Sequence, residues 1–267
     1  MSLVMFNSSE PRRSGFVWLV GGGPGAADLI TVRGQNILRT AEVLIYDDLA
    51  NSDLRALCPD RCEMLYVGKR ASRHSTTQEE INQLLVNHAL AGRCVVRLKG
   101  GDPAIFGRLG EELEALRAAN IPYEIVPGVT AACAAAAAAG VTLTRRGVAS
   151  AAVLATGHEC GGKEGPSLDW DALAQPGATL CVYMGTRRLA ALADRLMDLG
   201  HKADTPLLIV SHASLPQQAI RYGTLEEAGV LAAEALGTPS LVLIGEIATL
   251  NKNPLAAGWT GQEVSHA

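Results

Sequence analysis

Short apolar runs alternate along this chain with longer stretches whose apolar positions recur every three or four residues. The runs read as strands over 16–20, 43–46, 62–67, 93–98 and 123–126. The stretches between them read as helices over about 31–41, 51–57 with Asn51 or Ser52 as cap, a helix reaching about 90, and 110–119. Thr77 with Glu80 makes a capping box for the third of these. Strand and helix in strict alternation predict a parallel sheet covered by helices. The strands also end distinctively, in Gly21-Gly22-Gly23-Pro24-Gly25, Asp47-Asp48, Gly68-Lys69-Arg70, Gly100-Gly101-Asp102 and Pro127-Gly128.

Past this point the pattern changes. Residues 131–139 are almost all alanine, the best helix former and the least bulky, so this helix can approach a partner or ligand closely. Residues 140–150 read as a crossover. Strands follow at 151–155, 180–183, 206–210, 217–222 and 240–245, with helices at 169–174, 187–199 and after Thr224, and a final segment at 246–250. Three glycines and a proline mark 159–168 as a loop. The expected architecture is α/β with two α/β domains, 16–140 and 141–250, flanked by a polar arm at 1–15 and a tail at 251–267. A ligand cleft is expected between the domains.

Composition narrows this. Hydrophobic residues make up 48% of the 267 positions but aromatics only 4%, so the cores must be built from Val, Leu, Ile and Ala, as suits buried parallel strands. A formal net charge of −4 argues against non-specific nucleic-acid binding. Local basic grooves remain open through the pairs Lys69-Arg70, Arg145-Arg146 and Arg187-Arg188, the last also reading as a solvated helix start. Cys58, Cys62, Cys94, Cys133, Cys160 and Cys181 have no CxxC spacing and read as reduced thiols. A metal site from Cys58, Cys62, His158 and Cys160 has nothing in the sequence to bring its halves together, so no metal is expected. The segment 3–6 is too short for a signal-peptide core and 131–139 too short to span a membrane, so a soluble cytoplasmic protein is expected.

The chemistry concentrates at the strand ends. In LKGGDPAIFGR, residues 98–108, two glycines allow close backbone approach to a ligand, and the Asp102 carboxylate can accept from ribose hydroxyls or an amine. Open α/β sheets bind ligands at such carboxyl ends. The loop from Gly21 to Gly25, with Asp47-Asp48 some twenty residues on, also approximates a dinucleotide-binding fingerprint. It gives GxGxG rather than GxGxxG, and Pro24 lacks a backbone donor. Asp47 and Lys69, a strand-end acid and base, can lie on one sheet edge and so make an acid/base pair.

The ordered set VGGGPG at 20–25, YDDL at 46–49, VGKR at 67–70, LKGGDPAIFGR at 98–108, PGVTA at 127–131, TGH at 156–158, YMG at 183–185 and GTL at 223–225 resembles the uroporphyrinogen-III C-methyltransferases, of the class III tetrapyrrole methylase fold. The resemblance runs from about Phe16 to Leu250, and the monofunctional form, rather than one fused to a dehydrogenase and ferrochelatase module, is expected. It implies two α/β domains with S-adenosylmethionine folded in the cleft between them. The implied reaction is two methyl transfers to uroporphyrinogen III, giving precorrin-2 and S-adenosylhomocysteine, and a homodimer is implied as well. By resemblance, cofactor contacts fall on Pro24, Gly100, Gly101, Asp102, Ile105, Thr130, Ala131, Met184 and Ala213. Proton acceptor and donor fall on Asp47 and Lys69, while Arg108, Glu111, Arg146 and Lys69 face the substrate, Arg108 and Glu111 with a part in catalysis. The chain departs from the family at Gly22, at Ala26-Ala27, near Arg145 and at Leu109, the last bearing on the turn at Arg108.

Three other readings compete. One is a class III methyltransferase acting on a later corrin precursor or on a protein residue. Another is an NAD-linked oxidoreductase using Gly21 to Gly25. The third is a tetrapyrrole or cofactor sensor that binds without methyl transfer.

Overall fold

A computed structural model describes residues 15–68, 76–157, 168–235, 237 and 239–249. Lys69, Arg70, His158 and Cys160 lie outside the described residues. The strict alternation seen in the sequence becomes β1 (Phe16–Gly21), α1 (Val32–Leu38), β2 (Val43–Tyr46), β3 (Glu63–Tyr66), α2 (Gln78–Leu90), β4 (Cys94–Lys99), α3 (Leu109–Ala118) and β5 (Tyr123–Val126). Two 3-10 turns, Ala27–Leu29 and Ser52–Leu57, fill the connections on either side of α1 and β2. The Asn51 side chain accepts from the Asp53 N–H, and Thr77 and Glu80 close the capping box that starts α2.

The five strands lie in the order β3-β2-β4-β1-β5, all parallel. Side chains alternate between faces with period two. Val17, Leu19, Val43, Ile45 and Val95 point to one face, against Ile81, Leu85 and Ala89 of α2 and Leu116 of α3. Trp18, Val20, Leu44, Val96 and Leu98 point to the other, against Ile37 and Leu38 of α1 and Leu54. A parallel sheet covered on both faces explains why these strands are near-continuous apolar runs.

Contacts divide the chain into two compact units between Val129 and Thr130, ahead of the alanine helix. The second unit runs α4 (Ala131–Ala139), β6 (Ala151–Thr156), α5 (Trp170–Leu173), β7 (Ala178–Tyr183), α6 (Leu189–Asp198), β8 (Pro206–Ser211), β9 (Ala219–Thr224), α7 (Ala228–Glu234) and β10 (Ser240–Ile244). Its sheet has the order β6-β7-β10-β8-β9. β6 and β7 are parallel, while β10 runs antiparallel to both β7 and β8, and β8 and β9 pair antiparallel. Ala132, Ala135, Ala136 and Ala139 of α4 pack on Cys181, Leu208, Val210, Leu241 and Leu243. The opposite face carries α6 and α7 through Leu189, Leu192, Leu196, Ala228 and Ala232.

The stretch 140–150 forms a tight turn in which Arg145 and Ala149 exchange backbone hydrogen bonds of 2.8 Å each way. Thr224 does not cap α7, whose N-cap is Glu227. The Glu227 carboxylate takes both the Thr224 N–H, at 3.0 Å, and its hydroxyl, at 3.2 Å, and the helix starts three residues later than expected. Among the described residues no helix is long and apolar enough to cross a membrane.

Candidate active site

In the first unit the turns after β1, β4 and β5 meet at the carboxyl edge of the sheet. The Gly22 N–H donates to Lys99 O at 2.7 Å, Gly23 N–H to Gly101 O at 3.2 Å, and Gly101 N–H to Gly23 O at 2.6 Å. A Cβ on Gly128 would lie 2.2 Å from Gly101 O, so the contact requires glycine there. Asp102 ties the turns together: one carboxylate oxygen accepts from Ala104 N–H at 2.8 Å and the other from Gly128 N–H at 2.9 Å. Each oxygen keeps a further lone pair for a ligand. Gly101 sits at φ +67° with no atom closer than 4.0 Å to where a Cβ would stand, so its backbone is open to close approach.

This arrangement weighs against the dinucleotide reading. The Gly22 and Gly23 N–H groups are spent on the β4 turn and Pro24 has none, which takes three donors from a pyrophosphate cradle. Asp47, which would have held a ribose, is ion-paired instead.

That ion pair opens a feature the motifs did not reveal. Arg97 Nη2 donates to Asp47 Oδ2 at 2.9 Å, and Arg97 Nε donates to Glu112 Oε1 at 3.2 Å. Lys99 Nζ reaches both Glu112 oxygens at 2.8 Å. Arg97 and Lys99 are each 4% exposed and Glu112 is wholly buried. Desolvation pulls the Lys99 ammonium below the usual lysine range, and Glu112 works against that shift. The cluster was readable in principle. Arg97 and Lys99 sit at alternate positions of a strand buried on both faces, and two buried cations on one face require a carboxylate.

Arg108 takes left-handed backbone (φ 54°) just before α3, as does Phe106 (φ 51°). Its guanidinium forms a two-point pair with Glu111, Nε to Oε1 at 2.8 Å and Nη2 to Oε2 at 2.6 Å. Positive φ at two bulky residues within one short turn is strain of the sort held at functional sites. Pro24 and Ile105 flank the glycine turns and are half-buried. The first unit thus gathers Pro24, Asp47, Gly100, Gly101, Asp102, Ile105, Arg108 and Glu111 around its carboxyl edge, while Lys69 lies outside the described residues.

In the second unit the carboxyl ends of β7 and β8 share an edge. Met184 (φ 52°), His212 (φ 49°) and Ser214 (φ 67°) all take left-handed backbone there, with Ala213 between the last two. Met184 is 55% exposed. The Tyr183 hydroxyl lies 2.7 Å from Thr130 Oγ1 and accepts from Ala132 N–H at 3.1 Å, so it holds the start of α4, with Thr130 and Ala131, against the end of β7. Burial raises the Tyr183 phenol above its ordinary value. Arg146 stands exposed at the tip of the 145–149 turn. Among the described residues no cluster of three or more His, Cys, Asp or Glu side chains could hold a metal. Burial, aided by Cys62, pushes the Cys58 thiol up to about 12, which makes it a poor nucleophile or ligand.

A family model described as tetrapyrrole (corrin/porphyrin) methylases matches residues 17–229. A uroporphyrin-III C-methyltransferase from Thermus thermophilus, solved with S-adenosylhomocysteine, is 38% identical with a TM-score of 0.74, covering 88% of this chain and 94% of that one. A cobalt precorrin-4 methyltransferase of cobalamin biosynthesis is 28% identical with a TM-score of 0.76, covering 89% of this chain and 98% of its own. A sirohaem synthase from Actinobacillus pleuropneumoniae serotype 7 is 46% identical over 249 residues, which is 93% of this chain and 50% of the relative. The chain therefore spans about half the length of the curated relatives it matches. Its motifs, its two α/β units and these likenesses agree, and the chain belongs to the tetrapyrrole (corrin/porphyrin) methylase family.

Proposed function

We propose that this chain methylates uroporphyrinogen III twice from S-adenosylmethionine, giving precorrin-2 and S-adenosylhomocysteine. The product would feed sirohaem, cobalamin or d-type haem synthesis. The observation that carries the reading is the likeness, over nearly the whole of both chains, to a uroporphyrin-III C-methyltransferase solved with S-adenosylhomocysteine. The open backbone at Gly101, the spare lone pairs of Asp102 and the exposed Met184 suit a cofactor bearing ribose hydroxyls, an amine and a sulfonium. Cofactor contact is proposed for Pro24, Gly100, Gly101, Asp102, Ile105, Thr130, Ala131, Met184 and Ala213.

The donor supplies a methyl group on a positively charged sulfur. A pyrrole carbon of the reduced tetrapyrrole is electron-rich enough to attack it directly, so a carbon–carbon bond forms as the carbon–sulfur bond breaks. The protein's task is alignment and exclusion of water. A base must then take a proton to restore conjugation, and Asp47 fills that role. Lys69 is proposed as proton donor. Arg108 anchors rather than acts as base, because a guanidinium stays protonated. The acetate and propionate arms of the substrate call for cations, supplied by Arg108, Arg146 and Lys69. Glu111, paired with Arg108, sets how that guanidinium faces the substrate. The chain is proposed to act as a cytoplasmic homodimer, without nucleic acid, membrane or metal.

The test is methyl transfer by purified protein to uroporphyrinogen III, followed as red-fluorescent methylated products after oxidation. Arg108→Ala should depress turnover or substrate affinity and leave S-adenosylhomocysteine affinity, read by calorimetry, unchanged. Absence of any turnover by the wild type would overturn the reading.

A further inference from the structure

We infer that Glu112 and Arg97 form a buried positioning relay that fixes the Asp47 carboxylate for proton removal, an inference that rests on the methyl-transfer reading. Arg97 is pinned on every side. Its Nε donates to Glu112, its Nη1 to Leu98 O at 3.0 Å and to Ile45 O at 3.5 Å, and its Nη2 to Asp47. The guanidinium therefore cannot swing. Asp47 is held at both oxygens, by Arg97 and by the Leu49 N–H at 3.0 Å. Glu112 is the hub, accepting from Arg97, from Lys99 and from Gln78 Nε2 at 3.4 Å. It lies in the first turn of α3, where a carboxylate is favoured.

Packing alone does not explain these charges. The other buried strand positions on this face, Val17, Leu19, Val43, Ile45 and Val95, are apolar, and replacing buried ions with apolar groups of the same volume is often neutral or stabilising. The cluster balances two cations against two anions. Only one of the four side chains is more than marginally exposed: Asp47, at 23%, at the sheet edge. The relay also reaches the turn that carries Arg108, since Lys99 Cε lies 3.1 Å from where a Cβ on Gly107 would stand. One buried unit thus orients the proposed base and lies beside the turn that carries the proposed substrate anchor.

A double-mutant cycle tests this. The variants are Arg97→Lys, Asp47→Asn and the two combined, with kcat and the KM of each substrate measured for uroporphyrinogen III methylation. A fixed base let loose by about an ångström costs on the order of 100-fold in rate. Arg97→Lys should lower kcat by about that factor with the KM for S-adenosylmethionine unchanged, and should cause no further loss in the Asp47→Asn background. The same fold-loss in both backgrounds, or an unchanged kcat in Arg97→Lys, would overturn the relay. Should circular dichroism show Arg97→Lys unfolded, the pair Lys99→Met with Glu112→Leu replaces it. That pair removes one charge of each sign, and the same non-additive pattern with Asp47→Asn is expected. A wild type without turnover overturns the methyl-transfer reading and the relay together, and the wild-type control identifies that case.

Discussion

Gly100 and Asp102, two residues apart, face different neighbours and make separate predictions. A Cβ on Gly100 would stand 2.6 Å from Leu49 Cβ and 2.7 Å from Leu49 O, in the loop that follows Asp47. Backbone cannot yield as a side-chain tip does, so Gly100→Ala should push the Asp47 loop away and cost about 1–3 kcal/mol. Chemical denaturation would register the loss and the turnover assay the displaced base. Asp102 instead joins the β4 turn to Gly128. Its removal leaves the Gly128 N–H unpaired and loosens both glycine turns. Asp102→Ala should weaken S-adenosylhomocysteine binding by about tenfold or more, as expected for a lost charge-assisted hydrogen bond of about 1.5–3 kcal/mol. Unchanged affinity in calorimetry would contradict the role given to this turn.

Among the elements, those set by local chemistry were legible in the sequence. Thr77 and Glu80 closed their box as expected, with Glu80 N–H donating to Thr77 Oγ1 at 3.2 Å and Thr77 N–H to Glu80 Oε2 at 2.7 Å. Thr77→Ala should cost about 1 kcal/mol, seen as a lower denaturation midpoint. An unshifted midpoint would mean that packing alone sets the start of α2. The fifth strand and the alanine helix also fell where the pattern put them. What stayed hidden depended on partners distant in sequence. The start of α7 moved because Glu227 captured Thr224. Likewise, the antiparallel placement of β10 between β7 and β8 has no signal in a short apolar run. The candidate site divides the same way. Glycine turns and Asp102 stand out as a motif, whereas Arg97 and Glu112 are fifteen residues apart and meet only because α3 covers the face on which Arg97 lies.

For the whole molecule, the two units obey different topological rules: one sheet is entirely parallel, the other mostly antiparallel. Each nevertheless presents strained backbone at the carboxyl ends of its strands, Phe106 and Arg108 in the first and Met184, His212 and Ser214 in the second. The measurement that bears most directly on the account is methyl transfer itself. Purified protein is given uroporphyrinogen III with S-adenosylmethionine labelled in its methyl group, and label per tetrapyrrole is counted. Two labelled methyls per molecule, on ring carbons, are expected. Binding of S-adenosylmethionine with no label reaching the tetrapyrrole would contradict it.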